Sequence, residues 1–421
     1  MTTTTPDETT TAGGIKVAKP SVGRYFNDYW GKIRAGDLGT LPAVLGLIVL
    51  SLIFGISQDT FFSALNFANL FNQAAQVVFI AMGLVFVLLL GEIDLSAGFA
   101  SGVCGAIMAI LLTKHDWPWY GAIPAALVTG LVIGWVLGFL VAKIGIPSFV
   151  VTLAAFLGFQ GLLLVLLGGG TNITITDSFV VKLNNGNLSV LWSWILAVAA
   201  VVGYLLVQLN KQRSRAKAGL VTDPMGVVAI RVIALGVVIL LATFALTQQR
   251  AVNPAITSVK GVPIVVPIIA GFLIIWTFVL GRTAYGRHVY AVGGNSEAAR
   301  RAGIPVDRIR ISVFVIGSFM AAIGGIMAVS RANSVDPNTG GSNILLYSVG
   351  AAVIGGTSLF GGRGKVIHAI IGGAVIAVID NGMGLLGYQA GTKYIVTGAI
   401  LLVAASIDAL ARRRSAAAGT R

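Results

Sequence analysis

Long apolar runs alternate with short polar segments over most of the chain. Each run is long enough, or nearly so, to cross the roughly 30 Å hydrocarbon layer of a membrane as a helix. The pattern predicts an all-α integral membrane protein, a polytopic bundle of about twelve transmembrane helices. Several runs lie near the short limit, so we expect one or two to be broken or re-entrant. The predicted spans are 41–57, 74–90, 97–113, 119–141, 148–167, 191–209, 230–247, 264–281, 311–329, 345–361, 366–386 and 394–411.

The polar segments divide the chain into regions. Residues 1–40 form a Thr-rich tail followed by a basic and aromatic stretch, which is typical of a segment lying on a membrane face. A transmembrane domain is predicted over 41–411, followed by a basic tail at 412–421. Inside the domain, the segment 282–310 is polar and carries signals of local structure.

Composition supports the membrane prediction. Apolar residues make up 56% of the chain and charged residues 10%. Soluble domains have about 45–50% apolar and about 25% charged residues, so these few charges cannot cover a soluble surface. The apolar runs are also too long for the alternating segments of about ten residues that form a membrane β-barrel. Both soluble proteins and barrels are therefore excluded.

The distribution of charge predicts the orientation in the membrane. The net charge is +14. In a soluble chain this would indicate nucleic-acid binding, but here the basic residues lie between apolar runs, so no nucleic-acid partner is expected. With twelve spans and a cytoplasmic N-terminus, 23 of the 29 Lys and Arg residues fall inside and 6 outside. This asymmetry agrees with the positive-inside rule and places both termini in the cytoplasm. Removing one neighbouring pair of spans preserves the asymmetry, so ten spans remain compatible.

A short helix is predicted within the polar segment 282–310. Asn295 or Ser296 can cap its N-terminus, and Gly303 can end it in a left-handed conformation. The resulting helix, Ser296–Ala302, is too short to be stable alone in water. It must therefore dock either onto its own protein or, as a lever, into a soluble partner. The residues themselves leave both alternatives open.

Carboxylates and amides inside or beside the apolar runs form a second group of candidates. Two carboxylates in the segment 91–98, GEIDLSAG, would each cost about 2.5–3.5 kcal/mol at full membrane depth. They either cap the following helix at interfacial depth or line a polar path. The Asp-Asn pair of the eleventh run either bonds between helices or contacts a solute. Amides and carboxylates are suitable partners for hydroxyl-rich solutes. The candidate path residues are Asn72, Gln73, Gln76, Glu92, Asp94, Ser96, Gln160, Asp380 and Asn381.

The Gly-rich segment 355–365 is not a nucleotide-binding loop. A Walker A motif would need glycine at Leu359 and Ser or Thr at Val366. We interpret the segment as tight turns and close helix packing, and we expect any ATP hydrolysis on another subunit. The spacing G-x3-L-x2-G occurs at both 91–98 and 355–362. This weak repeat is of the kind found in transporters built from two related halves.

The sequence does not predict an enzyme. Its single cysteine, Cys104, lies in an apolar run and allows no internal disulfide. The three histidines are far apart in sequence and lack the spacing of a metal motif. No acid-base pair or activated nucleophile is recognisable. No catalytic residue, metal or cofactor is therefore expected on this chain.

Several segments, in this order and spacing, resemble the permeases of bacterial monosaccharide ABC importers, the group that includes ribose, galactose and xylose permeases. The resemblance covers about residues 66–411. An additional pair of apolar runs at 191–247, and Glu92 where many relatives have glycine, most resemble the xylose branch. The matching segments are GEIDLSAG at 91–98, PSFVVTLAAFLGFQG at 147–161, GRHVYAVGGNSEAARRAGI at 286–304, AVIGGTSLFGGRGKV at 352–366, DNGMGLLG at 380–387 and YIVTGAILLVA at 394–404.

This resemblance implies a type II-like permease core of ten helices plus the inserted pair, used as a homodimer in the bacterial cytoplasmic membrane. It implies a sugar-type ABC ATPase inside, which binds ATP and Mg, and an extracytoplasmic sugar-binding protein outside. The implied solute is a monosaccharide, and D-xylose is the first candidate. A branched-chain amino-acid ABC permease and a stand-alone secondary transporter are the alternatives. The residues to which the resemblance assigns ATPase docking are Asn295, Ser296, Glu297, Ala298, Arg300, Arg301 and Gly303.

Overall fold

The described part of the protein is almost entirely helical. A computed structural model describes residues 8–10, 16–18, 23, 31, 39–251, 253 and 258–417. Only short strands accompany the helices. They are β1 (Glu8–Thr10), which pairs antiparallel with β2 (Lys16–Ala18), and β3 (Ile173–Thr174), which pairs antiparallel with β4 (Ser334–Val335). The predicted all-helical, polytopic membrane architecture is confirmed at this level.

The helices follow one another with short connections. The first six are α1 (Leu41–Ser57), α2 (Ala64–Leu89), α3 (Ala97–Lys114), α4 (Trp119–Phe139), α5 (Ser148–Leu166) and α6 (Ser178–Asn185). Helix α4 continues into a π-helical turn, Leu140–Ile144. The next five are α7 (Val190–Lys217), α8 (Met225–Thr247), α9 (Val265–Arg282), α10 (Ala284–Gly294) and α11 (Ser296–Arg301). The last four are α12 (Val306–Ala332), α13 (Ser342–Ile354), α14 (Val366–Leu385) and α15 (Ala390–Ala417).

Nine of the described helices are long and apolar enough to cross a membrane, namely α2 to α5, α7 to α9, α12 and α14. Three shorter apolar helices are α1, α13 and the segment Ala390–Val403 of α15. Each predicted apolar run falls on one of these helices. The run 345–361 is helical only to Ile354, because Gly356 has a φ of +112° that an α-helix cannot contain. The 13 residues of α13 rise about 20 Å, less than the roughly 30 Å of the hydrocarbon layer.

The chain divides into two compact units. One unit consists of Gly39–Asn187 and Pro263–Leu410. The other contains Leu188–Val262, with helices α7 and α8. We call the first the core unit and the helix pair α7–α8 with its connections the hairpin unit.

Helix α12 is central to the core unit and packs against α4, α2 and α3. Phe86 and Phe314 are fully buried in this core. Helix α4 approaches the backbone of α12 at Gly130, Gly134 and Gly138. A Cβ atom at Gly134 would lie 2.4 Å from the carbonyl oxygen of Phe314. Small residues at four-residue intervals permit such close helix contacts in membranes.

The hairpin unit begins and ends at adjacent points. The backbone N–H of Leu188 donates to the carbonyl oxygen of Val262 at 2.8 Å. The guanidinium of Arg250 is buried just beyond α8 and donates to the carbonyl oxygens of Leu246 and Gly261. These bonds satisfy part of the hydrogen-bonding capacity that a buried arginine must have.

Candidate functional site

A cavity of about 1010 Å³ lies in the core unit. We call it the polar cavity. Its wall includes the amide side chains that the sequence predicted on α2, together with Gln160 of α5. Asn72 and Gln76 are four residues apart, so both project from the same face of α2. The structure thus brings four predicted path residues, Asn72, Gln73, Gln76 and Gln160, to one cavity.

Further polar residues in the wall were missed by sequence reasoning. Asn184 lies on the short helix α6 and Arg331 near the end of α12, and the other residues lie on the loop after α12 or on α13 and α15. Tyr347, Tyr394 and Thr397 lie within predicted apolar runs, and Asn343 lies two residues before one, so their positions carried a signal that was not used. Asn184 and the loop residues lie away from the runs and carried none. The additional polar wall residues are Asn184, Arg331, Asp336, Asn338, Thr339, Asn343, Tyr347, Tyr394 and Thr397.

Three buried amide atoms in the wall have no hydrogen-bond partner among the described residues. They are Oδ1 of Asn72, Nε2 of Gln76 and Oδ1 of Asn184. Asn184 is 1% exposed and is fixed in place, because its Nδ2 donates to the carbonyl oxygen of Asn72 at 3.2 Å. A buried polar atom without a partner costs about 1–3 kcal/mol. Two acceptors and one donor in this wall therefore have unused hydrogen-bonding capacity.

Asp380 lines a smaller cavity of about 200 Å³ that shares Gln73, Gln76 and Arg331 with the polar cavity. One carboxylate oxygen of Asp380 lies 3.4 Å from Nζ of Lys393. The wall of this smaller cavity carries two cationic side chains, Arg331 and Lys393, and one carboxylate, Asp380. Asp380 therefore forms part of this wall and also pairs with a cation in it.

Asn381 is buried and lines neither cavity. Its Nδ2 donates to Oδ1 of Asn66 at 2.8 Å, and Nδ2 of Asn66 donates back to Oδ1 of Asn381 at 2.9 Å. Nδ2 of Asn381 also donates to Oε1 of Gln73 at 3.2 Å. The reciprocal pair joins α14 to α2. The structure thus places Asn381 in the interhelical bond that the sequence had offered as one of two alternatives.

Glu92 lies at the other end of α2. Asn72 and Leu89 are separated by about 26 Å along this helix at 1.5 Å per residue. Oε1 of Glu92 lies 3.1 Å from Nε of Arg310, at the start of α12. Glu92 therefore belongs to a different part of the molecule from the amides, whereas the start of α3, just after Ser96, contacts the cavity wall at Gly340.

Asp94 and Ser96 organise the start of α3. Oδ1 of Asp94 accepts hydrogen bonds from the backbone N–H and the hydroxyl of Ser96, at 2.9 and 2.7 Å. Burial raises the pKa of the Asp94 carboxyl, and the hydrogen bonds from Ser96 lower it in part. These local bonds are those of a helix start, one of the two interpretations of this segment.

Three glycine-containing segments meet beside Leu89, at a place that we call the loop junction. The carbonyl oxygen of Leu89 accepts a bond from the N–H of Gly362 at 2.8 Å. A Cβ atom at Gly293, near the end of α10, would lie 1.8 Å from the same oxygen. The hydroxyl of Tyr290 donates to the carbonyl oxygen of Gly364 at 2.7 Å, and its burial raises the pKa of Tyr290. The segments 91–98, 284–303 and 355–365 are therefore neighbours in space.

The predicted short helix is present as α11, next to the loop junction. Oδ1 of Asn295 accepts from the N–H of Ala298 at 2.9 Å, and Gly303 follows with a φ of +80°. Ala299 is the buried residue of this helix. The exposed charged residues of the helix are Glu297, Arg300 and Arg301. The helix thus rests on its own protein through Ala299 and presents its charges outward.

Ion pairs connect α11 to neighbouring helices. Arg300 lies 3.5 Å from Oδ1 of Asp307, and Nζ of Lys143 lies 3.0 Å from Oδ2 of the same residue. Asp307 is on the first turn of α12, whereas Lys143 is in the π-helical turn after α4. One carboxylate therefore bridges α11 and the end of α4. Within α11, Arg301 pairs with Glu297 at 3.1 Å.

The comparisons with known proteins agree with this architecture. Residues 66–405 match the family model described as "Branched-chain amino acid transport system / permease component". The chain belongs to this family of membrane permeases, which are transmembrane subunits without a catalytic role. Among the described residues, no group of three or more His, Cys, Asp or Glu side chains could hold a metal ion.

Several similar proteins are named as sugar permeases. The chain is 34% identical over 403 residues to the xylose transport system permease protein XylH of Escherichia coli, covering 95% of this chain and 98% of the relative. The protein of the same name from Haemophilus influenzae is 34% identical over 90% of this chain and 98% of its own length. The ribose import permease protein RbsC of Bacillus subtilis is 29% identical, over 90% and 95%. No solved structure matches the chain.

Proposed function

We propose that this chain is the membrane-spanning permease subunit of an ABC importer that carries a monosaccharide, D-xylose, across the bacterial cytoplasmic membrane. The observation that carries the proposal is the polar cavity with its unpartnered atoms on Asn72, Gln76 and Asn184. A sugar hydroxyl can donate to the two free acceptors and accept from the free donor. Similarity to xylose and ribose permeases supports the sugar class.

In this proposal the chain crosses the membrane twelve times, as a ten-helix type II-like core plus the inserted pair. Both termini are cytoplasmic, in keeping with the distribution of Lys and Arg residues. The loop junction then faces the cytoplasm and the polar cavity faces outward. The approximately 26 Å of α2 between Asn72 and Leu89 connects them.

The partners follow from the importer class. A second copy of the chain completes the path, an extracytoplasmic sugar-binding protein delivers the sugar, and a cytoplasmic ATPase binds ATP and Mg. We propose that α11 docks on the ATPase through Asn295, Gly303 and the helix between them. Closure of the ATPase would push α11, and the contacts of Gly293 and Asp307 would pass the displacement to α2, α4 and α12.

Transport in proteoliposomes tests the function. The full chain would be reconstituted with its ATPase and binding protein, and uptake of labelled xylose, ribose, galactose and leucine compared. We expect uptake of xylose that requires the ATPase. Uptake of leucine alone would establish the branched-chain amino-acid alternative, which the description of the matching family favours. Uptake without the ATPase would show a secondary transporter and refute the proposal.

The cavity has a separate test. Gln76→Leu and Asn184→Leu each remove a free polar atom from the wall. Loss of one hydrogen bond of about 0.5–1.5 kcal/mol predicts about a two- to twelvefold lower rate at limiting xylose. Gln248→Leu, an exposed amide outside the cavity, is the matched control and should transport normally. Equal rates for all three variants would show that the cavity amides do not contact the sugar.

The docking assignment is tested by reversing charges on α11. Glu297→Lys and Arg300→Glu with Arg301→Glu should abolish both ATPase assembly and transport, since these side chains are exposed. Lys114→Glu, at the far end of α3, is the control. If the α11 variants still assemble with the ATPase and stimulate it, the assignment is wrong.

A further inference from the structure

The hairpin unit carries a basic cluster where α7 connects to α8, and the proposed transport function does not use this cluster. Helix α7 is 28 residues long, about 42 Å, whereas the hydrocarbon layer measures about 30 Å. Its apolar part begins at Val190, so the layer ends near Asn210. The remaining turns carry Lys211, Arg213, Arg215 and Lys217. They lie at the depth where phospholipid headgroups are found.

Within this cluster, one carboxylate fixes the connection between α7 and α8. Oδ1 of Asp223 lies 3.2 Å from Nη1 of Arg215, and Oδ2 lies 3.0 Å from Nη1 of Arg231. The amide of Gln212 also exchanges two bonds with the backbone of Asp223, at 3.1 and 3.2 Å. The connection is therefore held rigidly against one face of α7. Asp223 is the sole acidic residue between Ser178 and Ser296.

Two further cations of α7, Arg213 and Lys217, point away from this connection. At 100° per residue, Gln212 and Arg215 lie on one side of α7, and Arg213 and Lys217 lie together on the opposite side. Lys211, Arg213 and Lys217 are exposed, and no described carboxylate pairs with them. This end of the hairpin thus has five basic side chains and one acidic one, and two of the cations lie four residues apart on one face of α7.

Apolar side chains accompany the charges. Leu220 in the connection and Met225 at the start of α8 are each more than half exposed, and Val221 in the connection is nearly half exposed. Exposed apolar residues next to cations fit the boundary between headgroups and acyl chains, because both kinds of side chain are satisfied there. A water-soluble acidic partner would leave the apolar residues uncovered.

We infer that the exposed face of Arg213 and Lys217 is a binding site for the headgroup of an anionic phospholipid. The phosphate and the net negative charge of phosphatidylglycerol match two neighbouring cations. The headgroup layer holds such lipids at the depth of these side chains. The hairpin would thereby be anchored in one leaflet independently of sugar transport.

Native mass spectrometry of the detergent-solubilised full chain tests the site, because it resolves single bound lipids. The probes are phosphatidylglycerol and phosphatidylcholine with identical acyl chains, and soluble glycerol phosphate. We expect the protein to bind phosphatidylglycerol more tightly than phosphatidylcholine. Each cation near a charged surface contributes about 1 kcal/mol, so Arg213→Gln with Lys217→Gln should lower this preference about fivefold per charge.

Two variants serve as controls. Lys260→Gln removes an exposed cation outside the cluster and should leave the preference unchanged. Arg213→Lys with Lys217→Arg keeps the charges and should retain the preference, which should fall with increasing salt. An unchanged preference in the double Gln variant overturns the proposal. Competition by glycerol phosphate as strong as by the lipid also overturns it, because the site would then recognise a free anion. Should the Gln variant fail to fold, absence of any salt dependence in the unmodified protein refutes the proposal.

Discussion

Replacing Gly293 by alanine should disrupt the loop junction. The added Cβ atom would lie 1.8 Å from the carbonyl oxygen of Leu89, 2.9 Å from its carbonyl carbon and 3.1 Å from the nitrogen of Gly362. All three neighbours are backbone atoms, so no side-chain rotation can relieve the overlap. Helix α10 and the end of α2 must move apart by more than 1 Å to restore an ordinary contact, a rough figure for a well-packed interior.

The energetic cost has two parts. Overpacking in a well-packed interior costs about 1–3 kcal/mol. Separation of the segments also weakens the bond from Gly362 to Leu89, 2.8 Å long, which is worth about 0.5–1.5 kcal/mol. Gly293→Ala should therefore lower the free energy of unfolding by roughly 1.5–4.5 kcal/mol, the sum of these ranges. Because α11 follows directly, ATP-dependent uptake should fall as well.

Gly294 provides a matched control. It is the next residue in the chain, has an ordinary negative φ, and a Cβ atom there meets nothing within 4 Å. Gly294→Ala should therefore have nearly the stability and uptake of the unmodified protein. Denaturant unfolding in mixed micelles measures the first quantity, and reconstituted transport measures the second. If the two alanine variants are equally stable, the close packing deduced at Leu89 is refuted.

Three further predictions concern polar pairs. Asn381→Ala leaves Asn66 buried without its reciprocal partner and should lower the free energy of unfolding by about 1–3 kcal/mol. In a double-mutant cycle, Asn66→Ala with Asn381→Ala should cost less than the sum of the two single changes. Glu92→Gln removes the partner of Arg310 at a partly buried site and should cost about 1–2 kcal/mol, which charge-swapped residues should recover. Asp307→Asn breaks two largely exposed ion pairs, so the free energy of unfolding should fall by less than about 1 kcal/mol, and this difference should disappear at high salt. A larger loss of stability that persists at high salt would contradict this prediction.

The sequence predicts the helices well because hydrophobicity alone determines them in a membrane. The ends are less well predicted, since a helix can continue into water after its apolar part. Helix α7 continues to Lys217, past the predicted end at 209, because its basic residues are good helix formers. Helix α2 begins at Ala64, before the apolar run, where the hydroxyl of Ser63 accepts a bond from the N–H of Asn66. Both differences arise outside the apolar pattern.

The candidate site is predicted only in part, because proximity between segments is not encoded in their spacing. Gln76 lies within a predicted apolar run and Asn72 lies just before it, which is the signal that identifies them. Asn184 completes the same wall from the short helix α6, which lies outside the predicted apolar runs, so nothing distinguishes it in the sequence. Glu92 carries the same signal as the amides, yet it lies at the opposite end of α2 because the run between them is one continuous helix.

The first and last residues of the hairpin unit are adjacent in space. Leu188 and Val262 are joined by a backbone hydrogen bond, and the residues on either side, Asn187 and Pro263, form an antiparallel bridge within the core unit. The chain therefore leaves the core and returns to it as the two legs of a β-hairpin do. A two-residue turn, such as Asn-Gly, can connect legs at this distance. A transporter lineage could thus gain or lose the whole helix pair in one genetic event, with the remaining chain keeping its path.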